Sequence, residues 1–317
     1  MTHVLIIKPS SLGDIVHGLQ VATSLKAQRP DLRISWIVRD VFAPLVRRCT
    51  AVDRAYVFRR DAGVMAFLHL MREVRQTEFD YVFDMQGLLR TGLMTFRARA
   101  KRKVGRSDAR EGSGFFYDEK VPLPAEGRRA HALEKVLQFC PVLGLKPELV
   151  GTLTFREADG LNLSYVEGPG KTRPILMFPD SRRADKRWTG FKQLTEMLLR
   201  EDRRRRIVWA GNNYVPDKDA FLPDRFLNLT GNTSVVTLPS LVQRAAFVIS
   251  NESGPLQLAA SLHVPVLGIF GPGDPQVFGP YPPRAPTNFV IQAPVGDLKL
   301  LSAKDVHARL KRIAPQI

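Results

Sequence analysis

The sequence predicts an α/β protein made of two doubly wound parallel-sheet domains. Its 317 residues are enough for two hydrophobic cores of ordinary size. Short apolar runs alternate with segments of helical periodicity, which is typical of βαβ units. A polar, Gly- and Pro-rich stretch at 156–174 interrupts this alternation, which then begins again. We therefore place the first domain at 1–160 and the second at 161–317.

The first domain opens on a short apolar strand that leads through a small-residue turn into an amphipathic helix. The later apolar runs and helical spacings continue the same pattern. The predicted elements are strands at 4–7, 33–40 and 80–86, and helices after Gly13, at 63–76 and at 131–145.

The second domain repeats this pattern after the linker. The predicted elements are strands at 174–179, 206–211 and 264–272, a strand and turn at 247–254, and helices at 188–201, 238–245 and 255–263. The last helix of the chain could pack back on the first domain.

The chain is strongly basic, with 47 Lys and Arg against 31 Asp and Glu, a formal charge of +16 and a pI near 10.2. Such a chain should seek anions. Zinc-finger spacing, an RNP1-type motif and a heptad-bearing basic region are all missing, so nucleic acid is not the predicted partner. An anionic membrane surface or an acidic glycolipid would explain the clusters at 46–48, 58–61 and 97–106 equally well. The four arginines at 203–206 are expected to be a solvated surface.

Location and redox state follow from what the sequence lacks. It contains no apolar run of about 18 residues and no basic leader with a cleavage site, which predicts a cytoplasmic protein. Cys49 and Cys140 are too few and too far apart for a disulfide framework or a zinc site, so we expect two reduced, buried thiols.

Three strand-to-helix turns carry residues suited to a phosphate-bearing ligand, because unpaired N–H groups at a helix start favour anions. The first turn offers two hydroxyls and a glycine that permits close approach of the backbone. The second ends in cations that could neutralise a diphosphate leaving group. The predicted ligand-binding residues are Ser10, Ser11 and Gly13 in the first turn, Ser181 and Lys186 in the second, and Glu252, Ser253 and Gly254 in the third.

Each turn taken alone also fits ordinary helix capping, which favours Ser, Gly and Asp at these positions. The first turn is neither a G-x-G-x-x-G fingerprint nor a P-loop. Their joint occurrence at strand ends in both domains favours a ligand held in a cleft between the domains. His17 is expected to be an ordinary histidine and Trp188 a core aromatic.

Several motifs in the same order along the chain carry a more specific signal. They are "VLIIKPSSLGDIVHGL" at 4–19, "DMQGLLRTGLMT" at 84–95, "DKRW" at 185–188, "NESGPLQLAA" at 251–260 and "FGPGDP" at 270–275. Together they resemble the bacterial ADP-heptose:lipopolysaccharide heptosyltransferases, glycosyltransferase family 9. The segments around 84–95, 108–121 and 131–136 are most similar to those of heptosyltransferase I.

The resemblance implies a GT-B fold, with two Rossmann-like domains facing a cleft, and an inverting, metal-independent transfer that needs no cofactor. It implies ADP-heptose as donor, bound mainly by the second half. The acceptor would be the Kdo region of the lipopolysaccharide inner core, with peripheral contact at the cytoplasmic face of the inner membrane. Asp14 matches the proposed base and Lys186 would stabilise the departing diphosphate. The matching acceptor-side residues are Arg59, Arg60, Arg110 and His131.

The chain departs from the family pattern at the third turn. Glu252 stands where the family usually has Asp, and Gln257 where it commonly has His, which leaves the donor sugar open. A ribose-binding acid has only weak candidates in Asp217 and Asp219, whose "DKD" segment is expected to be a surface turn and not a metal site.

Two other classes of function stay open. One is a GT-B transferase that uses another nucleotide sugar, or a protein or other glycan acceptor. The other is a non-catalytic nucleotide- or nucleic-acid-binding protein, against which the pairing of Asp14 with Lys186 argues.

Overall fold

The computed structural model describes residues 1–157, 162–216 and 224–315. The chain divides into two compact units, Met1–Glu157 and Ala158–Ile317. The division falls inside the predicted linker, three residues before the predicted boundary at 160.

The first unit is a six-stranded, all-parallel sheet with strand order β3-β2-β1-β4-β5-β6. Its strands are β1 (His3–Ile7), β2 (Arg33–Arg39), β3 (Arg54–Phe58), β4 (Glu78–Asp84), β5 (Arg99–Arg106) and β6 (Glu119–Val121). Its α-helices are α1 (Leu12–Gln28), α2 (Ala43–Arg48), α3 (Gly63–Arg75), α4 (Leu89–Arg97) and α5 (Ala132–Leu137).

The second unit is also a six-stranded parallel sheet, with strand order β12-β11-β10-β7-β8-β9. Its strands are β7 (Ile175–Phe178), β8 (Ile207–Gly211), β9 (Phe226–Thr230), β10 (Phe247–Asn251), β11 (Val266–Phe270) and β12 (Asn288–Gln292). Its α-helices are α6 (Phe191–Glu201), α7 (Leu238–Arg244), α8 (Gly254–Ser261), α9 (Pro275–Phe278) and α10 (Ala303–Ile313).

The central strands are continuous apolar runs because helices cover both faces of a parallel sheet. Val4–Ile7 in β1 and Val266–Ile269 in β11 are fully buried or nearly so. In both units the strand order reverses beside the first strand, between β1 and β4 and between β7 and β10. Ligands of doubly wound sheets bind beyond the carboxyl ends of the strands at such a reversal.

The helix predicted over 131–145 is shorter than expected. α5 ends at Leu137, and a separate 3₁₀ turn follows at Cys140–Leu143. Pro141 has no N–H to continue the helix, and Gly144 then adopts a positive φ of 72°. Cys49 and Cys140 are buried free thiols, as predicted.

Two basic clusters have structural roles that the sequence did not indicate. The segment 97–106 is largely β5, where Lys101 pairs with Asp80 and Arg102 with Glu119. In the second unit Arg206 is buried rather than solvated, and it donates a hydrogen bond to the backbone of Tyr165.

The last helix, α10, packs against α6 and β12 of the second unit. Its buried residues Val306 and Leu310 belong to that unit's core. The apolar face of α10 is therefore buried in the second unit, and the sequence-based suggestion of packing on the first domain is not needed to explain it. Within the described ranges, no helix is long and apolar enough to cross a membrane.

Candidate active site

A buried lysine joins the two central loops of the first unit. Lys8 directly follows β1 and is 2% exposed. Its Nζ donates to the backbone oxygen of Met85, just after β4, at 3.0 Å, and lies 3.3 Å from Asp14 Oδ1. Sequence reasoning missed Lys8, although a lysine directly after four buried apolar residues needs an acidic partner.

Asp14 lies in the first turn of α1, where it is both a helix cap and an ion-pair partner. Its Oδ2 accepts hydrogen bonds from the Ser11 N–H at 3.0 Å and the Ser11 hydroxyl at 2.8 Å, which closes a capping box. Its Oδ1 faces Lys8, yet 41% of the side chain remains exposed. The carboxylate is therefore oriented by two neighbours and still accessible.

The surroundings of Asp14 keep it ionised. Burial raises the pKa of a carboxyl, but the Lys8 charge and the two Ser11 hydrogen bonds outweigh it and lower the pKa of Asp14 to about 2. Burial in turn lowers the pKa of Lys8. A carboxylate with such a low pKa is a weak base, so it can take a proton only when the donor hydroxyl has become acidic through bond formation.

A cavity of about 660 Å³ lies at the same edge of the first unit. It combines cations with apolar walls, which suits an amphiphilic or anionic ligand. Of the predicted residues, Ser10 and Arg60 line it. The other polar and charged residues that line it are Arg39, Gln86, Arg90, Thr91 and Glu111, none of which the sequence singled out.

The remaining predicted acceptor residues differ in placement. Arg59 and Arg110 are exposed. His131 is only 3% exposed, and its Nδ1 accepts the Leu133 N–H as the N-cap of α5. His131 is thus a buried helix cap, and its role in acceptor binding stays a prediction. Its ring packs edge-on against the buried His17, with centroids 5.6 Å apart.

Asp84, at the end of β4, organises the turn beneath this cavity. Its side chain is fully buried and accepts the N–H groups of Gln86 and Gly87, both at 3.0 Å, and the hydroxyl of Tyr117 at 2.8 Å. Burial raises the pKa of Asp84, against these hydrogen bonds. The carboxylate thus fixes the turn that carries Gln86.

In the second unit, Lys186 and Glu252 form an ion pair between the turns that follow β7 and β10. Glu252 is 8% exposed, and its Oε2 has no hydrogen-bond partner among the residues that the structure describes. That oxygen occupies the space where a Cβ on Gly273 would project. The Lys186 ammonium also lies 5.6 Å from the centroid of the Phe278 ring. The extra methylene of Glu252 therefore depends on a glycine opposite it.

Asn251, which the sequence did not single out, holds the Lys186 loop to the sheet. Its side-chain oxygen accepts the Trp188 N–H at 3.1 Å, and its amide donates to the backbone oxygens of Phe178 and Pro179 at 3.3 and 3.0 Å. Trp188 is 2% exposed, which confirms it as a core aromatic. The sequence feature that could have identified Asn251 is its position, as a polar residue at the end of a buried strand.

The other predicted residues of this unit lie nearby. Ser181 is 7% exposed and its carbonyl accepts from Arg187 at 3.0 Å. Ser253 precedes α8, which begins at Gly254, and the hydroxyls of Ser253 and Ser250 are 3.0 Å apart.

Gln257 fixes the C-terminal end of α9. Its amide donates to the backbone oxygens of Phe278 and Gly279 at 2.7 and 3.1 Å. Gln257, which departs from the family pattern, therefore fixes the segment that carries Phe278, whose ring lies beside Lys186.

A second cavity, of about 430 Å³, lies at the strand ends of the second unit. Asp180 on its wall accepts from Asn213 at 2.6 Å and pairs with Arg187 at 3.0 Å. Tyr214, which is 66% exposed, lies on the same wall. The weak ribose candidates Asp217 and Asp219 lie outside the described residues.

In the described ranges, no three His, Cys, Asp or Glu side chains come close enough to hold a metal ion. The "DKD" segment at 217–219 falls in the gap between those ranges. Metal independence therefore stays a prediction.

The chain is similar over nearly its whole length to curated enzymes. Lipopolysaccharide heptosyltransferase 1 of Escherichia coli (strain K12) is 27% identical over 328 residues, which cover 98% of this chain and 99% of that protein. The enzyme of the same name from Pseudomonas aeruginosa is 28% identical over 301 residues, covering 88% and 81%.

A solved structure of E. coli heptosyltransferase WaaC with ADP shares the fold with a TM-score of 0.80 at 24% identity, covering 99% of this chain and 100% of that chain. The prediction of two doubly wound α/β domains is thereby confirmed. The family model for glycosyltransferase family 9 (heptosyltransferase) matches residues 67–301, which is well over half of the sequence. This chain belongs to glycosyltransferase family 9, the heptosyltransferase family.

Proposed function

We propose that this glycosyltransferase moves a heptose from ADP-heptose to the Kdo region of the lipopolysaccharide inner core, with inversion and without a metal. The curated relatives support the reaction, since they are named lipopolysaccharide heptosyltransferase 1. Solved structures of E. coli WaaC contain ADP and ADP-2-deoxy-2-fluoro heptose, which supports an adenine nucleotide sugar as donor.

The observation that carries the catalytic part is the oriented, ionised carboxylate of Asp14. Inversion requires a base for the acceptor hydroxyl while the diphosphate leaves from the opposite face of the sugar. As the hydroxyl oxygen bonds to the anomeric carbon its proton becomes acidic, and Asp14 accepts it. A strong base is not needed for a proton that is released late in bond formation.

The second unit supplies positive charge for the leaving group. Negative charge grows on the diphosphate as the glycosidic bond to it breaks, and a fixed cation stabilises that charge. Lys186 is the candidate cation, because Glu252 and Phe278 hold its ammonium in the turn between β7 and α6. The start of α8 at Gly254 offers N–H groups for the same anion.

On the acceptor side, the cavity of the first unit fits an acidic saccharide. Arginine grips carboxylates and phosphates through paired hydrogen bonds, and Arg39, Arg60 and Arg90 line this cavity. We assign them to the carboxylates of the Kdo region. The reaction would take place at the cytoplasmic face of the inner membrane.

The test is release of ADP from ADP-heptose by the purified chain with Kdo-bearing lipid A, measured with and without EDTA. We expect turnover with this pair, none with lipid A that lacks Kdo, and a product whose anomeric configuration, read by NMR, is opposite to that of the donor. Turnover only with another nucleotide sugar would overturn the donor assignment, and it is the outcome that Glu252 and Gln257 would then explain. Retention of configuration, or loss of turnover in EDTA, would refute the mechanism.

A further inference from the structure

One helix of the first unit carries apolar side chains on both of its faces. Leu89, Leu93 and Phe96 recur at i, i+4 and i+7 along α4 and are 44%, 38% and 56% exposed. Met94 and Thr95, on the other face, are fully buried. Packing within the unit therefore accounts for one face of α4 and leaves an apolar stripe in solvent.

Neighbouring segments widen this stripe. Val64 and Met65, at the start of α3, are 73% and 71% exposed, and Phe115 in the 3₁₀ turn Ser113–Phe116 is 93% exposed. Both α3 and this turn contact α4. The rings of Phe96 and Phe116 are 5.8 Å apart. The apolar face is defined here as Val64, Met65, Leu89, Leu93, Phe96 and Phe115.

Cations flank the apolar face. The Lys103 ammonium lies 5.5 Å from the centroid of the Phe96 ring, and the Arg90 guanidinium lies 5.5 Å from that of Phe58. Within 59–65, 89–97 and 110–116, the further arginines are Arg59, Arg60, Arg97 and Arg110, and the acids are Asp61 and Glu111. Positive charge therefore dominates the border of the apolar face.

The apolar face is continuous with the cavity of the first unit. Val64, Leu89 and Leu93 belong to the face and also line the cavity, and Arg60 and Arg90 line the same cavity. A ligand whose apolar part lay on the face would have its polar part at the arginines.

We propose that the apolar face rests on an anionic lipid bilayer, with Met65, Phe96 and Phe115 inserted among the headgroups. The inference rests on the proposed function in so far as the acceptor is lipid-linked. Clustered exposed apolar side chains mark an interaction surface, and a basic border selects anionic headgroups over a neutral surface. The bilayer would thus present the saccharide of an embedded acceptor at the mouth of the cavity.

The test compares vesicle binding with turnover on a water-soluble acceptor. The variant Met65→Ser/Phe115→Ser removes two side chains of the apolar face that do not line the cavity. A matched control, Tyr165→Ser/Leu300→Ser, removes two exposed apolar side chains of the second unit. Binding is measured by sedimentation with phosphatidylethanolamine vesicles that contain phosphatidylglycerol, and with phosphatidylcholine vesicles.

We expect the wild type and the control to bind the anionic vesicles, and the face variant to bind about 100-fold more weakly, because burial of each of its two large apolar side chains is worth roughly tenfold. Arg97→Gln should weaken binding about fivefold, in line with the contribution of one arginine near an anionic surface. Turnover on a deacylated Kdo saccharide should be the same in all variants, which also shows that they are folded.

Equal binding of the face variant and the wild type would overturn the proposal, and so would wild-type binding that ignores lipid charge. A face variant that becomes monomeric where the wild type is dimeric, with no vesicle binding by either, would reassign the face to self-association. Normal vesicle binding without turnover on any Kdo acceptor would leave the membrane surface intact and refute the proposed function instead.

Discussion

Replacement of Asp14 by Asn separates its role as a base from its role at the start of α1. Asn keeps the shape of the side chain and can still accept the Ser11 N–H, but it cannot take a proton at neutral pH. If Asp14 is the base, kcat should fall by ~10²- to 10⁴-fold, the usual effect of removing a general base. The affinity for ADP should not change, because donor binding does not depend on the base.

The expected loss of stability is small by comparison. The pKa of Asp14 falls from 3.8 to about 2 on folding. At about 1.4 kcal/mol for each tenfold change in the acid dissociation constant, this difference corresponds to roughly 2 kcal/mol. Because 41% of the side chain is exposed, solvent screening reduces this to about 1 kcal/mol, or a Tm shift of roughly 2–4 °C for a unit of this size. Since the folded pKa is the lower one, this stability is present above pH 4 and is lost as pH falls toward 2.

The measurements are ADP release under saturating substrates, calorimetry with ADP, and thermal unfolding. Asp31→Asn is the matched control, because the Asp31 side chain is 57% exposed and forms an exposed ion pair with Arg29. A folded Asp14→Asn protein that turns over at near wild-type rate would refute the assignment. A loss of ADP affinity in parallel with kcat would point to a structural role.

Three further predictions address the second unit, the buried acid and the cavity. Gly273→Ala should weaken ADP-heptose binding about tenfold in calorimetry, because the new Cβ displaces the Glu252 carboxylate. The double variant Gly273→Ala/Glu252→Asp, whose acid is one methylene shorter, should bind ADP-heptose normally again. A double variant that binds as weakly as the single one would contradict this. Burial raises the pKa of Asp84 on folding, so wild-type stability in urea unfolding should fall relative to Asp84→Asn as pH rises above the ordinary range of an aspartic acid. Parallel curves would disprove it. Arg60→Ala should raise the acceptor KM and leave the donor KM unchanged, whereas Arg72→Ala, an exposed change on α3 away from the cavity, should alter neither; equal losses for both substrates would indicate a folding defect.

The sequence reveals the central strands of each sheet because these strands are buried on both faces and read as unbroken apolar runs. β5 was not predicted for the opposite reason. Arg99, Lys101 and Arg102 lie in its exposed first half, so that the sequence reads as a basic surface cluster. The predicted end of the helix at Leu145 was wrong. The apolar spacing continues past Pro141, but the helical hydrogen bonding cannot, because proline has no N–H.

Contacts between candidate site residues could be predicted from the sequence where both residues lie in one turn, and could not be predicted where the two residues lie in different turns. Ser11 and Asp14 are three residues apart, so their capping geometry follows from the sequence. Lys8 meets Met85, and Lys186 meets Glu252, only because parallel strands bring distant turns to one edge. The burial of His131 was not predicted for a related reason, since the His17 ring that contacts it lies on another helix.

The three hydrogen bonds of Asn251 bear on the entropy of donor binding. A free loop between β7 and α6 would lose backbone freedom each time a nucleotide bound, at roughly 1–2 kcal/mol for every residue that became ordered. Because Asn251 ties the loop at Phe178, Pro179 and Trp188, that freedom is already lost when the unit folds. If Lys186 binds the diphosphate as proposed, its contacts should contribute to affinity almost in full, and product release should need no reordering of this loop.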